Sequence, residues 1–345
     1  VSFFDSILVT GGAGFIGSNF VRRIVARHPR CAVTVLDALT YAGNLENLEP
    51  FVENGRVSFV KGSITDADRV RAVMDGRQAV FNFAAETHVD RSIREAGTFV
   101  ETDVLGTYTL LRVAGDLGVR RFVHISTDEV YGSSHGPSFT ESSPLQPRNP
   151  YSASKGGGDL MCQAFFATFG LPVVITRSSN NYGPYQHVEK FIPLFITNTI
   201  EGKELPLYGD GLHRRDWIHV EDNCAGIELV AERGVVGEVY NICAGRTHPN
   251  VEVAEKILDL LGAPRSRIVF IEDRKGHDRA YEMDGAKLRT LGWRPEHGFD
   301  EGLEKTVAWY RENETWWRRV KSGAFREYYE KFYDDKIRKG KKRGG

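Results

Sequence analysis

A glycine-rich turn between a short apolar run and a helical pattern constrains this chain most. Ser6 to Thr10 contains Ile7-Leu8-Val9, which reads as a short buried strand. Gly11-Gly12-Ala13-Gly14-Phe15-Ile16-Gly17 follows, and Asn19 to Val25 then carries apolar residues at helical spacing. Gly11, Gly14 and Gly17 alone are a weak signal, but a strand before and a helix after are the context such a triplet requires. The glycines let the backbone turn tightly and approach a pyrophosphate. The helix start then offers free N–H groups and partial positive charge to the phosphate oxygens. Asp37 ends the next β-rich run, Ala32-Val33-Thr34-Val35-Leu36, twenty residues after Gly17. A carboxylate there accepts hydrogen bonds from ribose hydroxyls and repels a 2′-phosphate, which favours NAD over NADP.

Strand-like runs recur at Val57–Val60, Ala79–Phe83, Arg121–Ile125 and Val173–Ile175, with helical patterns between several of them, as at Leu105–Leu117. This alternation predicts an α/β fold: a doubly wound, Rossmann-type parallel sheet spanning residues 1–180. After Arg177 the rhythm changes, with Pro184, Pro193, Pro206, Gly209 and Gly211 interrupting regular structure. A smaller, interleaved C-terminal lobe is expected over residues 181–330, with a strand and helix returning to the first domain around 216–243. Phe325, Tyr328, Tyr329, Phe332 and Tyr333 recur at three- and four-residue steps and predict an amphipathic helix facing a core. Residues 331–345 form a basic tail, expected to be frayed and solvated.

Composition excludes more than it selects. A formal net charge of -1 leaves no global field to draw the chain to nucleic acid or to an anionic membrane. No apolar run approaches the ~18 residues that span a bilayer. The chain begins almost at once with a strand, so no signal peptide is expected. Cys31, Cys162, Cys224 and Cys243 are far apart in sequence, which predicts no metal site and free thiols in a reducing cytoplasm.

Two further stretches carry chemistry. Tyr151 and Lys155 follow Pro144, Pro147 and Pro150, so Tyr151 sits near a helix start and both side chains share a face. Free tyrosine titrates near pH 10. A nearby ammonium and a positive nicotinamide ring favour the phenolate, which can take a proton from a sugar hydroxyl as hydride leaves the carbon. Lys155 can also hold the cofactor ribose. Gly156-Gly157-Gly158 directly after it is unusual, since each glycine costs a helix about 1 kcal/mol relative to alanine. Close packing against another helix, from a second subunit for instance, and a local helix break are the two explanations. Asp128 and Glu129 follow the apolar run Phe122-Val123-His124-Ile125, inside Ser126-Thr127-Asp128-Glu129-Val130-Tyr131-Gly132. Two neighbouring carboxyls push each other's pKa values apart, so one can start neutral and the other charged. Added to a redox pair, they can eliminate water.

Together these residues resemble the extended short-chain dehydrogenase/reductase superfamily and, within it, the dTDP-glucose 4,6-dehydratase family. The similarity runs from about Ile7 to at least Trp309. Its marks include Asp37 to Asn44, Ala84 to Ser92, Ser178 to Pro184, Arg215-Asp216-Trp217 and Gly276-His277-Asp278. The resemblance implies an NAD-dependent hydro-lyase, a cytoplasmic homodimer with a sugar-nucleotide-binding lobe over 181–330. It converts dTDP-glucose to the 4-keto-6-deoxy sugar nucleotide and water.

By the same resemblance Tyr151 deprotonates the C4 hydroxyl, Thr127 steers that oxygen, Glu129 removes the C5 proton and Asp128 protonates the leaving C6 hydroxyl. Phe15, Ile16, Asp37, Leu39, Thr40, Ala84, Ala85, Thr102 and Asn181 line the NAD site. His88, Asn180, Lys190, Pro206, Tyr208, Arg215, Asn250, Arg274 and His277 surround the sugar nucleotide, with Arg215 and Lys190 suited to a diphosphate. Ser63 and Ile64 stand at an adenine-contact position that usually reads Asp-Ile, Thr87 replaces a serine, and Asp103 replaces an asparagine. His248-Pro249 before Asn250 is less polar than the family pattern. A sugar-nucleotide 4-epimerase is the nearest enzymatic alternative, and the Asp128-Glu129 pair argues against it. An NAD-sensing binding protein is the non-enzymatic one, and Tyr151, Lys155 and Thr127 argue against that.

Overall fold

The computed structural model describes residues 3–343 except 135, 275, 323–328, 330–332 and 334. The first half alternates strand and helix. In order come β1 (Ser6–Thr10), α1 (Phe15–Arg27), β2 (Ala32–Asp37), α2 (Glu49–Glu53), β3 (Val57–Lys61), α3 (Ala67–Met74) and β4 (Ala79–Asn82). Two short helices, α4 (Val89–Arg94) and α5 (Ala96–Phe99), lead through a π-helical turn at Val100–Gly106 into α6 (Thr107–Leu117). Then follow β5 (Arg121–Thr127), a 3₁₀ turn at Asp128–Tyr131, α7 (Pro150–Phe169) and β6 (Val173–Ser178).

The second half holds β7 (Asn180–Tyr182), α8 (Phe191–Ile200), β8 (Leu205–Tyr208), β9 (Arg214–His219), α9 (Val220–Arg233), β10 (Val239–Ile242), β11 (Thr247–Pro249), α10 (Asn250–Leu260) and β12 (Ile268–Ile271). It ends with α11 (Ala286–Thr290), α12 (Phe299–Glu312), α13 (Glu314–Val320) and α14 (Asp335–Arg343).

A seven-stranded parallel sheet in the order β10-β6-β5-β4-β1-β2-β3 is the spine. Its strands are apolar on both faces because helices cover both. Ile7, Val9, Val35, Phe81 and Val123 point toward Phe20, Val21 and Ile24 of α1 and Ile227 and Val230 of α9. The alternate residues Leu8, Leu36, Val80 and Phe122 point toward Val70 of α3, Leu110 and Leu111 of α6 and Cys162 of α7. Each such side chain contributes about 1.5–3 kcal/mol on burial, so the two faces dominate the fold's stability. Strand order reverses between β1 and β4, and the crevice beyond the carboxyl ends of the strands there is where ligands of such sheets bind.

At the far edge a later strand and helix join the sheet: β10 pairs in parallel with β6, and α9 packs on α1. β9 instead lies between β7 and β11 in a separate three-stranded sheet. The second lobe has its own core: Leu194 and Ile196 of α8, Leu205 and Leu207 of β8, Val253 and Ile257 of α10, Val307 and Trp317.

Helix α7 is unbroken through Gly156-Gly157-Gly158. Asn149 caps it, its side chain accepting from Ser152 N at 2.9 Å while Ser152 Oγ accepts from Asn149 N at 3.3 Å, and Pro150 opens its first turn. The glycines serve close packing within the chain. A Cβ at 157 would lie 2.9 Å from Val104 Cγ2, and one at 158 would lie 3.0 Å from the Asp103 carbonyl oxygen.

Two C-terminal expectations resolve differently. The basic tail is helical from Asp335, with Ile337 buried in the second core, so an apolar anchor overrides the charge of its neighbours. Tyr329 and Tyr333 of the aromatic stripe are buried in that core too, while Phe325, Tyr328 and Phe332 lie outside the described residues. The four cysteines are free and buried, and no described helix is long and apolar enough to cross a membrane.

Candidate active site

The turn after β1 is closed to side chains and open to a ligand. Gly11 has φ +68, and a Cβ there would lie 2.5 Å from Ala84 N beyond β4. A Cβ at Gly17 would lie 2.3 Å from the Gly11 carbonyl oxygen. Only glycine lets the loop and the start of α1 approach this closely, which fits a bound pyrophosphate. Asp37 grips the same turn. One carboxylate oxygen accepts from Ala13 N at 2.9 Å, the other from Leu39 N at 2.8 Å. Burial pushes its pKa up, and these two bonds pull the other way.

A cavity of about 320 Å³ opens here, walled by Gly11, Gly14, Phe15, Ile16, Gly17, Asp37, Thr40, Ser63, Ile64, Ala84, Ala85, Thr102 and Asn181. Thr127, Asp128, Glu129, Tyr151 and Lys155 line the same cavity, as do Asn180 and Lys190. Sequence positions 11 to 190 thus converge on one space. Leu39 stands outside its wall, held at φ 51 by its bond to Asp37.

The acid pair is positioned from beneath. β5 ends at Thr127, whose side chain caps the 3₁₀ turn by accepting from Glu129 N at 3.3 Å and donating to Asp128 Oδ1 at 3.1 Å. Fully buried Arg177 anchors the turn: it donates to Asp159 Oδ2 at 2.8 Å on α7 and to the Tyr131 hydroxyl at 2.9 Å. Asp128 is 2% exposed, and its Oδ2 has no hydrogen-bond partner among the described residues. Burial first, and then the Glu129 charge, push its carboxyl well above the ordinary range, which favours its protonated form. Glu129 is more open and accepts from Asn149 Nδ2 at 3.4 Å.

Burial and the charges of Glu129 and Asp103 also push the Tyr151 phenol up, against the hydrogen bond from Thr127. The sequence reading placed the Lys155 ammonium as a force in the opposite direction. In the structure that ammonium donates to the Ile125 carbonyl oxygen at 2.7 Å, which ties it to β5. Burial thus favours the protonated phenol of Tyr151.

The remaining expected residues lie outside the cavity wall. His88 is buried at the start of α4, and burial lowers it to about 4. Pro206 and Tyr208 are on β8, Arg215 on β9, Asn250 at the start of α10, and Arg274 and His277 after β12. The charge of Arg215 reaches both Asp128 and Glu129, and that of Arg274 reaches Glu129. Lys190, Arg215 and Arg274 make no ion pair among the described residues. Arg215 spends its donors on the carbonyl oxygens of Arg214 and Asp278, and Lys190 donates to that of Thr87. Asn250 Oδ1 is buried without a hydrogen-bond partner among the described residues.

Sequence reasoning passed over Glu86, Gln186 and His187, which also line the cavity. Burial, then the Asp103 charge, raises Glu86 to about 7. Asp103, noted only as a departure, accepts from Ser154 Oγ at 2.6 Å and Glu86 N at 3.1 Å. The signal for Glu86 was its place inside the stretch Ala84 to Ser92.

The chain matches the family described as GDP-mannose 4,6 dehydratase over residues 8–306. It is 51% identical over 304 residues to the low-salt glycan biosynthesis protein Agl12 of Haloferax volcanii, covering 88% of this chain and 98% of that protein. It is 50% identical over 321 residues to the dTDP-glucose 4,6-dehydratase of Streptomyces niveus, covering 92% of this chain and 96% of that one. Among solved structures it is similar to DesIV, the dTDP-glucose 4,6-dehydratase of Streptomyces venezuelae with NAD and TYD bound. The TM-score is 0.90 at 53% identity, covering 91% of this chain and 99% of that chain.

Proposed function

Since this chain belongs to the GDP-mannose 4,6-dehydratase family, among its dTDP-glucose 4,6-dehydratase members, we propose that it converts dTDP-glucose to dTDP-4-keto-6-deoxy-glucose and water. The observation that carries the reading is one cavity lined by the glycine cradle, the Tyr151 phenol and both carboxyls of Asp128-Glu129. NAD, held by Gly11 to Gly17 and Asp37, supplies a reversible hydride acceptor for C4 and donor for C6.

The protein's own groups move the protons. Tyr151 takes the proton of the C4 hydroxyl, and Thr127 fixes that oxygen. Oxidation at C4 acidifies the C5 hydrogen, which passes to Glu129, the more open carboxylate of the pair. Asp128, kept protonated by burial and by its neighbour, gives its proton to the C6 hydroxyl as water leaves. C5 is then reprotonated. Residues 1–180 carry the redox end, and residues 181–330 hold the nucleotide, with Lys190, Arg215 and Arg274 set around the diphosphate.

The working form is a homodimer. Val100 and Leu105 of the π-helical turn are 55% and 49% exposed, and Leu160 of α7, which packs on that turn through Gly157 and Val104, is 56% exposed, so a single chain leaves these apolar side chains in water. Four unpaired thiols suit the cytoplasm. Incubation with dTDP-glucose tests the function: a product lighter by one water supports it, and an isomer of unchanged mass rejects it.

A further inference from the structure

Both backbone polar groups of Ala13, inside the glycine turn, are tied down by later parts of the chain. Its N–H donates to Asp37 Oδ2 at 2.9 Å. Its carbonyl oxygen accepts from Asn44 N at 3.1 Å and from Asn47 Nδ2 at 3.0 Å. Asn47 is 1% exposed, so its amide needs partners within the protein. The Oδ1 of that amide finds one near the other end of the sequence: it accepts from Trp316 Nε1 of α13 at 3.0 Å. A short row of direct bonds therefore runs from α13 through Asn47 to the turn between Gly11 and Gly14, and both of those glycines line the cavity.

Trp316 is held in place for this bond. Its ring lies 5.7 Å from that of Tyr185 and 5.2 Å from that of Trp309, centroid to centroid. Tyr185 carries the Arg22 guanidinium 4.3 Å from its ring centre, and Arg22 of α1 donates to the Asn47 carbonyl oxygen at 2.6 Å. Three residues after Trp316, on the same side of α13, Arg319 makes a two-pronged pair with Glu46: Nε donates to Oε1 at 2.9 Å and a terminal nitrogen to Oε2 at 2.6 Å. Helix α13 thus grips Glu46 and Asn47 together. A glycine-rich turn has many backbone conformations open to it and keeps one shape when its polar groups are pinned in this way.

We propose that Trp316 is a positioning residue for the cofactor: through Asn47 it holds the glycine turn in the shape that accepts the NAD pyrophosphate, so that α13 contributes to NAD retention from outside the cavity wall. This rests on the NAD-dependent reading of the function.

The test uses the full-length protein with its bound NAD. Trp316→Phe keeps an aromatic ring beside Tyr185 and Trp309 and removes the N–H, which leaves the Asn47 oxygen without that donor. Exchange of bound NAD for isotopically labelled NAD should quicken roughly tenfold, the size of one hydrogen bond lost at a buried acceptor. Inhibition by thymidine diphosphate, which reports the sugar-nucleotide side of the site, should change by less than about twofold. Asn47→Ala should quicken exchange at least as much. Trp316→Phe added to Asn47→Ala should bring no further change, because both act through the same bond.

Unchanged NAD exchange in Trp316→Phe overturns the inference, even where the melting temperature falls, and reduces Trp316 to a packing contact. Effects of the two substitutions that simply add overturn it as well, since they would then act by separate routes. Equal weakening of thymidine diphosphate points to a general loosening of the protein and also overturns it. If the wild-type protein holds NAD but does not dehydrate dTDP-glucose, the dehydratase reading fails by itself, and NAD exchange still decides the role of Trp316.

Discussion

Burial and then the charge of Glu129, its neighbour in the chain, both push the carboxyl of Asp128 toward its protonated form. One dipeptide thus presents a neutral acid and a more accessible carboxylate to the same cavity. Two proton-transfer tasks of opposite sense need this asymmetry, and the 3₁₀ turn supplies it by burying its first residue more deeply than its second.

Asp128→Asn keeps the shape and removes the proton. Oxidation at C4 should persist, visible as absorbance of reduced nicotinamide in a single turnover, while water loss slows by about 10²–10⁴-fold. Water loss at the wild-type rate would remove Asp128 from its role as acid.

Glu129→Gln should act one step earlier. In deuterated water the wild-type product carries deuterium at C5, and the variant should form that product about 10²–10⁴-fold more slowly. The variant's residual product, resolved by mass spectrometry, reports the step directly. Exchange at C5 that proceeds undiminished would mean another base serves there.

Glu86→Gln should alter the pH dependence of stability. Burial and the Asp103 charge raise the folded-state pKa of Glu86 from 4.5 to about 7. Relative to the unfolded chain, its carboxylate therefore costs nothing below about pH 4.5 and its full penalty above about pH 7. The variant's melting temperature should gain on the wild type as pH rises through that window. Two parallel melting curves would contradict the shift.

Gly17→Ala places a Cβ 2.3 Å from the Gly11 carbonyl oxygen, against backbone that cannot swing aside. The loop must shift, at a cost of about 1–3 kcal/mol. Purified variant should contain less NAD than wild type, by absorbance after denaturation, and should melt earlier. Full cofactor content would show that the turn tolerates the extra carbon.

The redox half of the site was legible because its signals are local. Gly11, Gly14 and Gly17 fall within one turn, and Tyr151 and Lys155 share one turn of α7. The cations were not legible in that way. Lys190, Arg215 and Arg274 come from separate parts of the chain, so resemblance alone named them. Gly157 and Gly158 needed coordinates for the same reason, since Val104 and Asp103 lie on another element. The tail misled because nine residues rich in lysine and arginine hide one apolar anchor, Ile337.

Asp37 is bound to more than cofactor choice. Its two oxygens tie down the glycine loop through Ala13 and hold Leu39 in a left-handed conformation that a side chain adopts at a cost of about 1–2 kcal/mol. Replacing it to admit a 2′-phosphate would release both restraints together. Switching this enzyme to NADP would therefore take a redesign of the whole turn from Gly11 to Gly43, with new clamps in place before the discriminating carboxylate is removed.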